Sequence, residues 1–65
     1  MTINVVRIEN LLAEKGLTKS ALAKKCGISP QNVCGIMKRG TCEPRTAGRL
    51  ATGLGVAVEE IRGGT

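Results

Sequence analysis

An all-α fold, a compact bundle of four or five helices, is what this 65-residue sequence predicts. Apolar residues recur at helical spacing in successive segments, from Val5, Ile8, Leu11 and Leu12 to Ala47, Leu50, Ala51 and Leu54. Residues that open helices (Thr18, Ser29 with Pro30, Pro44) alternate with glycines that close them (Gly16, Gly27, Gly55). Phe, Tyr and Trp are absent, so the core must be aliphatic, which suits small interlocking helices.

The first helix is expected from about Ile3 to Lys15, with Gly16 as its cap and Leu17 tucked in behind it. Thr18 then caps a second helix, Lys19 to Cys26, with Leu22, Ala23 and Cys26 inward. Gly27 closes that helix and Ile28 plugs the turn. The Ser29-Pro30 pair starts a third helix that runs to Lys38 or Arg39 on a buried stripe of Val33, Ile36 and Met37. Gly35 weakens this helix by about 1 kcal/mol relative to Ala. A short loop, Gly40 to Glu43, leads to a fourth helix that begins near Pro44 and reaches Leu54. Gly55 ends it. A short fifth helix over Val58 to Arg62 would turn Val58 and Ile61 inward. Loops this short give one compact bundle, and the whole chain, 1–65, reads as one domain. Gly63-Gly64-Thr65 reads as a frayed end or the start of a linker.

Length and composition narrow the function. A chain of this size buries only about 60% of its unfolded surface, which leaves little room for a catalytic cleft. His is absent, and Cys26, Cys34 and Cys42 make no C-x-x-C pair, so neither a metal nor another cofactor is expected. Neither a phosphate-cradling glycine loop nor a nucleotide fingerprint occurs, and no enzyme is expected. Residues 1–7 lack a basic start followed by an apolar run, and no stretch approaches membrane-spanning length. The expected location is the cytoplasm, with free thiols.

Net charge is +5, and its distribution is uneven. Lys15, Lys19, Lys24, Lys25, Lys38, Arg39, Arg45 and Arg49 share the middle of the chain with a single acid, Glu43. The other acids, Glu9, Glu14, Glu59 and Glu60, lie towards the ends. A basic middle is the footprint expected for a phosphate backbone, although a merely solvated face gives the same pattern. Without aromatic rings to stack on bases, duplex DNA fits better than single strands.

Lys19 through Ile36 carries the functional signal. An eight-residue helix meets a tight turn at Gly27 and then a second helix. The small Ala23 beside the large Leu22 lets the two backbones approach, and Cys26, Ile28, Val33 and Ile36 lock the pair. This is the pattern of a DNA-binding helix-turn-helix.

The run Gly16-Leu17-Thr18-Lys19-Ser20-Ala21-Leu22-Ala23-Lys24-Lys25-Cys26-Gly27-Ile28-Ser29 resembles the Cro and phage-repressor (XRE) family, and so does Thr46-Ala47-Gly48-Arg49-Leu50-Ala51-Thr52-Gly53-Leu54-Gly55-Val56. The resemblance covers nearly the whole chain. It implies a five-helix, lambda-repressor-like fold, a sequence-specific operator, and a two-fold homodimer on a near-palindromic site. The sequence departs from the family where Lys19 replaces a usual Gln, and from some of its members where Leu12 and Met37 stand in place of a buried Arg–Glu pair. Two apolar groups replace an ion pair without loss, because burying charges costs desolvation.

The third helix is expected to enter the major groove N-terminus first. Pro30, Gln31, Asn32 and Gly35 are then the candidates for reading bases, and Gln31 and Asn32 have the carboxamides that pair with adenine. Asn32 holds a phosphate equally well. Thr18, Lys19, Ser29, Lys38, Arg39, Thr41 and Arg45 are the candidates for phosphate. Cys34 is either a small residue at a partly buried position, the favoured reading, or an exposed redox-sensing thiol. Val58, Ile61 and Arg62 are the candidates for a dimer contact. The competing function is a protein-interaction module such as an antitoxin. A toxin-binding tail would mark it, and none is read in these residues.

Overall fold

The helices begin and end where local chemistry dictates. The structure, a computed structural model, describes residues 1–63. It contains α1 (Val5–Lys15), α2 (Lys19–Cys26), α3 (Pro30–Arg39), α4 (Pro44–Leu54) and α5 (Val58–Ile61). Asn4, Thr18 and Ser29 cap the first three, each side chain accepting the backbone N–H three residues on. Gly16, Gly27, Gly40 and Gly55 close α1 to α4 in the left-handed region, with φ from 66° to 73°.

Two boundaries differ from the spacing. The first helix starts at Val5 and not at Ile3, because residues 2 and 3 are extended and bonded elsewhere. Ile3 N–H donates to the Gly40 carbonyl at 2.9 Å and Asn4 N–H to the Ile61 carbonyl at 2.7 Å. The fifth helix stops at Ile61, since Arg62 bridges antiparallel to Ile3. Thr2 bridges in the same way to Thr41. The first residues therefore run between the loop after α3 and the chain after α5. Gly63, expected to fray, donates its N–H to the Thr2 carbonyl at 3.0 Å. Gly64 and Thr65, part of the same expectation, lie outside the described residues.

The core is aliphatic and contains no buried polar side chain among the described residues. Ile8, Leu22, Val33, Ile36, Leu50, Leu54 and Ile61 are fully enclosed. Leu12 and Met37 are both buried in this cluster. α2 packs on both α3 and α4, and α5 closes the bundle against α4 and α1. The α2–α4 crossing is close. A Cβ at Gly53 would sit 2.5 Å from Cys26 Sγ and 3.3 Å from Leu22 Cδ1, so only a glycine lets α4 lie this near α2.

Candidate nucleic-acid interface

α3 is held from one side only. Val33, Ile36 and Met37 are buried, while Pro30, Gln31, Asn32, Cys34, Lys38 and Arg39 are exposed and Gly35 is half-buried. Pro30 at the first helical position brings a preset φ and no N–H to satisfy, which fixes the start of the helix. The result is a ten-residue helix, about 15 Å long by its rise, with its polar side free. A major groove about 12 Å wide admits such a helix.

Most of the sequence-predicted DNA-binding residues line two neighbouring depressions. Pro30, Gln31, Gly35 and Lys38 line a shallow hollow on the outer face of α3, together with Cys34. Asn32, Arg39 and Thr41 instead line a cleft between α3 and the start of α4, along with Ile36, Pro44 and Thr46. Asn32 thus borders the cleft and Gln31 the hollow. Arg39 leans back along its own helix, so that a Cβ at Gly35 would lie 3.0 Å from its Nη1. Arg45 is exposed in the first turn of α4, beside the cleft.

Thr18, Lys19 and Ser29 are exposed at the starts of α2 and α3. The Thr18 and Ser29 oxygens already accept N–H bonds from Ala21 and Asn32, both at 3.1 Å. Their hydroxyl protons stay free to donate to an anion. The unpaired amides of each helix's first turn add a positive pole beside them. α4 differs, since its N-cap Glu43 makes no side-chain cap bond.

Cys34 is exposed, not partly buried as favoured from the sequence, because it faces away from the Val33–Met37 stripe. Cys42 is half-buried and lines the cleft. Burial pushes its thiol up, opposed by the Met1 amine and Arg39 and reinforced by Glu43. Cys26 is raised chiefly by burial as well. Among the described residues no cluster of His, Cys, Asp or Glu could hold a metal, and no helix is long and apolar enough to cross a membrane.

Of the expected dimer residues, two reach the surface. Ile61 is completely enclosed in the chain's own core, because α5 closes the bundle with it, so it offers nothing to a partner. Val58 is half-buried and Arg62 is exposed. Sequence reasoning also passed over Thr46 in the cleft wall. Its only signal was its place in the first turn after Pro44.

A supporting helix locked by aliphatic side chains to a second helix whose polar face stays free is the arrangement of a helix-turn-helix DNA-binding domain. The chain belongs to the family of Cro/C1-type helix-turn-helix DNA-binding domains, whose model matches residues 7–62. No curated protein and no solved structure matches it.

Proposed function

We propose that residues 1–65 form one domain that binds double-stranded DNA sequence-specifically, as a cytoplasmic transcriptional regulator of the repressor type. It binds rather than catalyses, as a homodimer on a near-palindromic operator. The observation that carries this reading is the free outer face of α3, where Gln31 stands beside Lys38 in an otherwise apolar-walled hollow. In this reading Gln31 reads a base bidentately, Pro30 and Gly35 set the approach, and Asn32 reads or anchors from the cleft side. Thr18, Lys19, Ser29, Lys38, Arg39, Thr41 and Arg45 hold phosphates. Val58 and Arg62 remain the dimer contacts, without Ile61.

Selection of bound duplexes from a random pool at near-physiological salt tests this. The expected result is a palindrome with half-sites about 10 base pairs apart. Gln31→Ala should then relax preference at one position, at about 1–3 kcal/mol. Lys38→Ala should weaken all duplexes alike and lower the salt slope by about 1. An unenriched pool, or binding that vanishes as salt rises, would leave only non-specific attraction.

A further inference from the structure

Among the described residues three glycines sit inside helices, at positions 35, 48 and 53. Each costs about 0.5–1 kcal/mol relative to Ala. Two have a neighbour that explains them: Arg39 lies over Gly35, and Cys26 presses on Gly53. Gly48 has none. Nothing lies within 4 Å of where its Cβ would be, and its φ is not in the left-handed region. The fold gains nothing from a glycine there, and locally unfavourable choices of this kind concentrate where a molecule meets a partner.

The surroundings of Gly48 indicate the partner. At 100° per residue, Arg45, Gly48, Arg49 and Thr52 fall on the outer face of α4, opposite Ala47, Leu50, Ala51 and Leu54. Arg45, Arg49 and Thr52 are exposed. The Thr52 hydroxyl donates to the Gly48 carbonyl at 2.9 Å, so it folds back on the helix and does not project. Neither arginine is in an ion pair among the described residues, where the one pair is Arg7–Glu60. The face thus presents two cations flanking bare backbone. Its first turn abuts the cleft that it shares with α3.

We propose that this face of α4 is a second track for the DNA sugar-phosphate backbone, with Arg45 and Arg49 as its cations and Gly48 kept bare to admit close approach. Arg49 and Gly48 join the phosphate-binding set by this argument. The proposal rests on α3 entering the major groove, which sets the backbone beside the start of α4.

The test compares the full chain with Arg49→Gln and Gly48→Leu. Each is titrated against the selected duplex, a single half-site and a random duplex of equal length, across a salt series. Arg49→Gln should weaken all three about fivefold to tenfold at physiological salt and lower the salt slope by about 1. Gly48→Leu should raise Tm, since it replaces a helix glycine, yet weaken all three duplexes while keeping the preferred sequence. A structural role for Gly48 predicts no such opposition. Wild-type affinity in both variants would overturn the track while leaving the α3 reading intact. So would weakening confined to the two-half-site duplex, which would assign the face to a second copy, for example to its Glu59. If the wild type binds duplexes without sequence preference but the variants still flatten the slope, the specific reading falls and the track stands. If the wild type binds no duplex, both fall.

Discussion

At the scale of single residues, the three cysteines report three environments. Cys34 is exposed on α3, Cys42 is half-buried, and Cys26 is pressed between α2 and α4. Alkylation at neutral pH, followed by mass spectrometry, should label Cys34 first and Cys26 last. Equal rates at Cys34 and Cys26 would mean that the α2–α4 seam opens freely. Burial raises both Cys26 and Cys42, so the folded state favours the neutral thiols. That contribution is complete below the unfolded thiol value of about 8.5 and is lost as pH rises through the higher folded values. The wild type should therefore lose more stability between about pH 8 and pH 10 than Cys26→Ala does. Gly53→Ala should cost about 1–3 kcal/mol by overpacking against Cys26. Much of that loss should return in a Cys26→Ala background, a coupling that a double-mutant cycle reads directly. Additive effects would dismiss the contact.

At the scale of elements, helix ends decide local stability. Thr18 and Ser29 each satisfy an amide that would otherwise be orphaned. Ser29→Ala should cost about 1 kcal/mol in thermal or urea unfolding. α4 offers the opposite case, because Glu43 occupies the N-cap without bonding there. Glu43→Ser should raise stability by up to about 1 kcal/mol, and an unchanged or lower Tm would contradict the cap argument. α4 also lacks a basic residue in its own last turn. Lys15 of α1 lies near that end, with its Nζ 3.9 Å from where a Gly55 Cβ would be. A lysine counted with the basic middle of the sequence thus sits beside the negative pole of a helix.

At the scale of the whole molecule, the chain closes on itself through its first residues. Met1 to Asn4 bond to Gly40 and Cys42 on one side and to Ile61 and Gly63 on the other. The loop that follows α3 is thereby tied to the end of the helical bundle. The tie needs glycine at 63, where a Cβ would lie 2.6 Å from the Ile3 carbonyl carbon and 2.7 Å from its oxygen. Gly63→Val should lower stability by about 1–3 kcal/mol and strip hydrogen-exchange protection from the Ile3, Asn4 and Cys42 amides. Retained protection would show that the pairing tolerates a side chain. The Arg7–Glu60 ion pair nearby spans 3.5 Å with both side chains well exposed. Pairs of this kind contribute about 0–1 kcal/mol, so Glu60→Gln should be nearly silent beside Gly63→Val.

The sequence by itself determined the succession of helices, most of their caps and the helix-turn-helix pairing. These features are written within a few residues of one another: the period of Ile8, Leu11 and Leu12, the hydroxyls of Thr18 and Ser29, the glycines at the helix ends. The stripe of Val33, Ile36 and Met37 also told which side of α3 stays free. Tertiary structure decided what depends on distant partners. Ile3 reads as helical by spacing but is extended, because its N–H finds a carbonyl at Gly40 and its neighbour's finds one at Ile61. Met1 meets Cys42 across a separation of 41 residues, which no local pattern encodes. The same holds for the cleft that Asn32 shares with Pro44 and Thr46 of α4. Gly53 has a reason only because α2 lies against it, and Gly48 stands out because nothing does. Local periodicity fixes which face of a helix is apolar; only packing fixes what that face, and the one opposite, will meet.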